Sequence, residues 1–335
     1  MIDNKLLNDE FNVTLAQLKM AKFVVSYQIE NNELFLPQYK GSTIRGAIGN
    51  AFKKYGCACS WNNDQSEIGH LDDCLYGYFF ETRLTEDSQF IGGNEVPRPF
   101  VILPTLDEKQ VFYPGEKLIF SFTLFGDSIQ YLPYFINVLE KAGKEGLGKG
   151  KNKVQLQQVF FEDLYGNLHP IYNDIERTLD TGFPVYNGLD LINLNFDYIE
   201  CNRFTIYFLT PSRLKYKGKY IDIPDMNVIV KNITRRLDSI LYVHHNRFKN
   251  NYDYSNIFKE AGSITLLQNE TKWHDWERYS NRQNERMKMG GVVGKATYLG
   301  NYQALYPILK LGEWLHIGKN SVFGLGKIKI VSHLE

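Results

Sequence analysis

Residues 305–331, LYPILKLGEWLHIGKNSVFGLGKIKIV, decide how the chain is read. Leu305, Ile308, Leu309 and Leu315 recur at helical spacing, and a glycine-rich run follows. Lys327–Val331 then alternates as a strand. The same order occurs at residues 129–161, IQYLPYFINVLEKAGKEGLGKGKNKVQLQQVFF. There Ile129, Leu132, Phe135, Ile136 and Leu139 form the stripe of a helix that ends at Gly143, a glycine- and lysine-rich loop follows, and Val154–Phe161 is the strand. A helix, glycine loop and strand that appear twice point to an internal duplication.

Upstream of each copy the order also repeats. Phe11–Gln28 reads as a strand, and Leu34-Phe35-Leu36-Pro37 leads into a helix capped by Ser42 and stopped by a left-handed Gly56. Its buried stripe is Ile44, Ala47, Ile48, Ala51, Phe52 and Tyr55, which leaves Arg45, Gly49 and Lys53 on a different face. Strand-like runs follow at Leu75–Glu81, Phe100–Leu103 and Lys117–Phe125. In the second half, Arg203–Leu209 is a strand and Ile229, Ile233, Leu237, Ile240 and Leu241 stripe a long helix. Ser263–Leu267, Lys272–Tyr279 and Gly291–Leu299 read as strands. The expectation is an α+β protein of two βαββαβ units, each an antiparallel sheet with two helices on one face. The first spans 1–165 and the second 201–335, with 166–200 as linker.

The 38 Lys and Arg residues balance 38 Asp and Glu, so any nucleic-acid binding must come from local placement of charge. Aromatics at 14%, with 22 Tyr and 22 Phe, suit strands and supply faces on which bases stack. The amino terminus, MIDNKLLNDEF, carries acids where a signal peptide needs bases and then an apolar run, so the protein is expected in the cytoplasm. Cys57, Cys59 and Cys74 cluster with His70 as C-x-C, a spacer and H-x-x-x-C. They read either as a structural zinc site or as buried thiols beside a loop histidine. Cys201 reads as core.

Gly318 to Gly326 is G-x5-G-x-G after a helix and before a strand, the reverse of the dinucleotide fingerprint, which follows a strand and opens a helix. In that context it resembles the carboxy-terminal glycine-rich loop of the RAMP superfamily of CRISPR systems. The likeness extends to Leu36-Pro37-Gln38-Tyr39-Lys40-Gly41-Ser42-Thr43-Ile44-Arg45-Gly46-Ala47, to Gly146-Leu147-Gly148-Lys149-Gly150, and to WHDWERYSNRQNERMKMGG from Trp273 to Gly291. Together these resemble the CRISPR pre-crRNA-processing endoribonuclease family. The resemblance implies two tandem ferredoxin-like, RRM-type domains that bind CRISPR repeat RNA and cut precursor crRNA without metal. The 2′-hydroxyl attacks the neighbouring phosphate, leaving a 2′,3′-cyclic phosphate and a 5′-hydroxyl. A non-catalytic RAMP subunit that holds guide RNA within an effector complex, beside other CRISPR subunits, is the alternative.

Members of that family often place a catalytic histidine on or just after the first helix, and some read Gly-His where this chain has Gly49-Asn50; asparagine exchanges no proton. His70 is therefore a candidate general base as well as a candidate zinc ligand. Tyr39, Lys40, Arg45 and Lys53 are candidate proton or charge donors for the reaction. For RNA contact the candidates are Lys149 and Lys151 in the first glycine loop, and Gly318, Lys319, Ser321, Gly324 and Gly326 in the second. Glycine permits close approach of backbone to phosphate, while lysine and serine supply charge and a hydroxyl. Arg213, Lys215 and Lys217 alternate with Leu214 and Tyr216 as a basic hairpin or a protected edge strand. His274, Arg278, Arg282 and Lys288 lie among amide and hydroxyl donors suited to phosphates and base edges.

Overall fold

A computed structural model describes residues 9–57, 59, 74–82, 96–193, 201–280 and 285–333. In chain order the elements are α1 (Asp9–Gln17), β1 (Lys19–Ile29), β2 (Leu34–Phe35), α2 (Gly41–Tyr55), α3 (Leu75–Phe80), β3 (Phe100–Pro104), β4 (Val111–Phe112), β5 (Lys117–Phe125), α4 (Leu132–Glu145), β6 (Val154–Glu162) and β7 (Leu168–Asn173). They continue as β8 (Tyr186–Asn187), α5 (Gly188–Asn193), β9 (Arg203–Ser212), β10 (Lys215–Tyr216), β11 (Lys219–Tyr220), α6 (Met226–His244), α7 (Ser255–Ser263), β12 (Thr265–His274), β13 (Glu277–Ser280), β14 (Glu285–Lys288), β15 (Gly291–Leu299), α8 (Tyr302–Leu315) and β16 (Ile328–His333). The chain forms two compact units. One runs from Met20 to Val185; the other takes Tyr186 onward together with the amino-terminal stretch that ends at Lys19. Against the expected division, β7 extends the sheet of the first unit, and α1 packs within the second. Among the described residues, no helix is long and apolar enough to cross a membrane.

The first sheet has strand order β3-β5-β1-β6-β7, all pairs antiparallel. With α2 and α4 inserted after the first and third core strands, β3-β5-β1-β6 is the ferredoxin-like arrangement. The second sheet, β12-β15-β9-β16, repeats it with α6 and α8. The fold is α+β, two tandem ferredoxin-like domains, as the duplicated order implied.

The helical stripes explain the cores. Ile229, Ile233, Leu237, Ile240 and Leu241 of α6 are inaccessible to solvent, as are Leu305, Ile308, Leu309 and Leu315 of α8. In the first unit the core is aromatic. Phe135 of α4 stacks on Phe122 of β5 at 4.5 Å between centroids and meets Phe52 of α2 at 5.4 Å and Phe79 of α3 at 5.6 Å. Full burial of a side chain of this size contributes about 1.5–3 kcal/mol, so this cluster anchors both helices to the sheet.

Several local expectations are corrected. Residues 11–17 are helical, and the strand starts only at Lys19; the apolar run at 75–80 is helix α3 and not a strand. A short apolar run carries no period that separates the two, and packing of Phe79 and Phe80 decides the matter. Helix α2 starts at Gly41 without a Ser42 cap, and Gly56 ends it at φ −119°, outside the left-handed region. Strand β12 is continuous over 265–274, where two separate strands were expected, and β13 with β14 forms a hairpin beyond it.

Candidate nucleic-acid interface

In the first unit, Tyr39 and Lys40 stand at the entry to α2. Lys40 is fully buried: its Nζ donates to the Asp107 carbonyl at 2.8 Å and to Asp107 Oδ1 at 3.0 Å. Burial pushes the Asp107 carboxyl up, but hydrogen bonds from Thr105, Lys40 and Lys109 outweigh it and hold the group below its ordinary 3.8. A buried ammonium with a carboxylate partner positions the start of α2; it is not presented to a phosphate, and this corrects its expected role as a charge donor. Tyr39 is half-buried, and burial, followed by the nearby Glu108, raises its hydroxyl above the usual 10.0. The phenol therefore stays protonated and fits a proton donor.

On α2 the guanidinium of Arg45 lies over the Phe80 ring at 5.0 Å. Gly49 is buried against the same ring, where an added Cβ would come within 2.9 Å of Phe80 Cε1, so this glycine serves packing with α3 and not approach to RNA. Gly46 has open space around it, Lys53 is half-buried and Asn50 is exposed. Tyr55, expected in the stripe, is exposed and donates to Glu145 at 2.5 Å, as does Lys54 at 2.6 Å. His70 lies outside the described residues. The first glycine loop folds back on β2, since an added Cβ at Gly148 would stand 2.8 Å from the Phe35 carbonyl and Asn152 donates to the Glu33 carbonyl at 2.7 Å. Leu147 and Asn152 close the loop with two backbone bonds, leaving Lys149 and Lys151 exposed. Thus the positive loop is held against β2, the short strand that leads through Tyr39 into α2.

The three cysteines of the cluster converge beyond the carboxy-terminal end of α2, at the start of α3. The sulfurs of Cys57, Cys59 and Cys74 all lie within 4.8 Å of one another, and burial pushes the Cys57 thiol up to about 11. Cys201 is core: its thiol donates to the Arg203 and His333 carbonyls.

The second unit gathers most of the expected RNA contacts at one end of its sheet. Lys217 at φ 47° and Gly218 at φ 80° form the two-residue turn of the β10–β11 hairpin, a geometry matched to strand twist. Arg213 Cζ and Lys215 Nζ lie 4.5 and 4.8 Å from the centroid of the Tyr220 ring, and that ring meets Trp273 at 6.1 Å. Arg213 is buried, and one of its terminal nitrogens donates to the Gly290 carbonyl at 2.6 Å. It therefore acts as a strut between the hairpin and the base of β13–β14, a correction to its expected RNA contact. Trp273 donates to Asp275 at 2.8 Å, and Gly290 and Gly291 leave no room for a Cβ against Asp275 and the β9 backbone.

The carboxy-terminal glycine loop packs on the same place. Lys319 N donates to the Arg213 carbonyl at 3.1 Å and Gly326 N to the Pro211 carbonyl at 3.1 Å, while Thr210 Oγ1 donates to the Gly324 carbonyl at 2.8 Å. Gly318, Gly324 and Gly326 have φ of +75°, +86° and +74°, and a Cβ at Gly318 would lie 2.5 Å from the Arg213 carbonyl oxygen. Ser321 is buried, so its hydroxyl is not offered to a phosphate as expected. Lys217 and Lys288 are exposed, Lys319 and His274 half-buried. Arg278 sits on β13, paired across the hairpin with Met287; Arg282 lies outside the described residues. Sequence reading missed Asp107, Phe80 and the Tyr220–Trp273 contact, each defined by a partner distant in the chain.

The comparisons with known proteins bear on this arrangement. Residues 206–328 match the family model of the CRISPR-associated endoribonuclease Cas6. That match runs from within β9 to the first residue of β16. Residues 18–182 match a second family model, AF_1859_N, described as an N-terminal domain. An uncharacterised protein of Archaeoglobus fulgidus is 27% identical over 334 residues, covering 96% of this chain and 99% of that protein. Among solved structures, a Cas6 product complex aligns with TM-score 0.56 at 14% identity over 93% of this chain and 99% of its own. Thermus thermophilus Cas6 gives 0.54 at 14% identity over 94% and 99%. A chain of a Cas6-RT-Cas1–Cas2 complex gives 0.57 at 12% identity, covering 95% of this chain and 29% of that one. At these identities the structural likeness establishes a shared fold.

Proposed function

We propose that the protein binds CRISPR repeat RNA and cleaves precursor crRNA without a catalytic metal. The observation that carries this reading is the convergence, inside the stretch that matches the Cas6 model, of the glycine-rich loop, the Lys215–Lys217 hairpin and the Tyr220–Trp273 pair at one end of the sheet. Such a surface grips single-stranded backbone through cations and stacks bases on aromatic faces. Cleavage is assigned to the α2 neighbourhood of the first unit. The RNA 2′-hydroxyl loses its proton to a base, with His70 the candidate, and attacks the adjacent phosphorus. The bond from phosphorus to the 5′-oxygen breaks, and that oxygen takes a proton, with Tyr39 as the donor. Arg45, Lys53 and the exposed Lys149 and Lys151 stabilise the charge on phosphorus. The products are a 2′,3′-cyclic phosphate and a 5′-hydroxyl.

One observation favours a second reading, a guide-RNA-binding subunit without cleavage: position 50, exposed on α2, holds asparagine. Incubating the purified protein with repeat RNA in EDTA separates the two. A cyclic phosphate end supports the nuclease, and tight binding with intact RNA supports the subunit.

A further inference from the structure

Three sulfurs meet where the chain leaves α2. Cys57 follows the last residue of the helix and its cap Gly56, and Cys74 immediately precedes α3, so the cluster ties the end of one helix to the start of the next. The Sγ atoms of Cys57, Cys59 and Cys74 all lie within 4.8 Å of one another, and Cys57 and Cys74 stand 3.6 Å apart. Zinc bonds to thiolate of about 2.3 Å, arranged tetrahedrally, set sulfurs about 3.8 Å apart, so the three atoms already stand near the corners of such a site. A disulfide needs sulfurs about 2.05 Å apart and uses two cysteines, leaving the third without a purpose. Cys74 is buried and Cys57 and Cys59 are half-buried, which shields the group from bulk water.

We propose that Cys57, Cys59 and Cys74 bind a zinc ion as thiolates, each giving up its proton, in a structural site that clamps α3 to the end of α2. The preference for zinc follows from the donor set, since soft thiolate ligands select it over the hard cations. The need for a clamp follows from α3 itself. A six-residue helix lies far below the length at which a helix holds by its own hydrogen bonds. Its Phe80 nevertheless supports Arg45 and fills the space left by Gly49. The ion has no part in bond cleavage and is independent of the RNA reading above: zinc content and RNA cleavage can fail separately.

The test is elemental analysis of the full chain purified without chelator or added metal. About one zinc per chain is expected, lost in Cys57→Ser, Cys59→Ser and Cys74→Ser and retained in Cys201→Ser. Exchange of the wild-type protein with cobalt(II) should give intense thiolate-to-metal absorption in the near ultraviolet; this reading does not depend on the serine variants folding. Wild-type protein that neither carries zinc nor develops that absorption overturns the proposal. So does a Cys57–Cys74 disulfide found by mass spectrometry under non-reducing conditions, or zinc that survives the Cys57→Ser and Cys74→Ser changes together.

Discussion

Replacing Gly326 by alanine tests the glycine-rich loop at its tightest point. Gly326 has φ +74°, and an added Cβ would overlap the Ile317 carbonyl oxygen, while the Ile317 backbone N and C lie 2.8 Å away. The left-handed backbone alone costs about 1–2 kcal/mol for a residue with a Cβ. To relieve the overlap, the two strands of the loop must part, which breaks the bond from Ile317 N to the Gly326 carbonyl at 2.8 Å and strains that from Gly326 N to the Pro211 carbonyl at 3.1 Å. Ile317 is fully buried, so its N–H finds no water, and a stranded buried donor costs about 1–3 kcal/mol. The total is roughly 2–5 kcal/mol. Gly218 is the control in the same unit: its φ is +80°, but nothing lies within 4 Å of an added Cβ, so Gly218→Ala should cost only about 1–2 kcal/mol. Urea unfolding followed by a probe in the second unit, with hydrogen exchange at Ile317, measures both. Losses for the two variants within about 1 kcal/mol of each other would refute the role given to loop closure.

Three further outcomes are expected. Lys40→Met should lower stability by roughly 1–3 kcal/mol, less than a fully buried pair because Asp107 is half exposed, and should change cleavage little once the protein is folded. Because the folded Asp107 carboxyl is depressed, its contribution is present above the ordinary carboxylate range and is lost as pH falls through the folded value; urea titrations of wild type and variant should therefore converge in acid. Substituting Lys215, Lys217 and Lys288 together by alanine should weaken RNA binding and flatten the slope of log affinity against log salt by about 2, at roughly 0.7 per single-strand phosphate contact; an unchanged slope removes this surface from the interface. Tyr39→Phe should slow single-turnover cleavage by about 10²–10⁴-fold with RNA affinity retained. The wild-type rate should not begin to fall well below pH 10.0, since the half-buried phenol is raised above that ordinary value, and a descending limb well below it would remove Tyr39 as the acid.

What the sequence disclosed and what it withheld divide along physical lines. The stripes of α6 and α8 were legible because burial on one face imposes a 3.6-residue period that no other element mimics. The duplicated helix, glycine loop and strand then implied the topology. Helices α1 and α3 were misread, since runs such as Leu75–Phe80 are too short to show a period, and α7 went unread beside stronger signals. At the site, residue type carried the basic character of 213–219, but not which cations face outward. Arg213 turns in to Gly290, and Lys40 turns in to Asp107, 67 residues away. Such pairings depend on strands brought together by the fold, and nothing local to either residue announces them.

The sheet of the second unit closes its β12–β15 ladder at His274 and Gly291, and among the described residues the β13–β14 ribbon forms a two-stranded sheet of its own. That ribbon stands outside the βαββαβ frame, so insertions, deletions or new side chains within it leave the hydrogen bonding of the four-stranded sheet untouched. The domain thereby separates the part that must persist from the part free to drift. Under the proposed function, grafting this segment between relatives is a way to change RNA selectivity without rebuilding the scaffold.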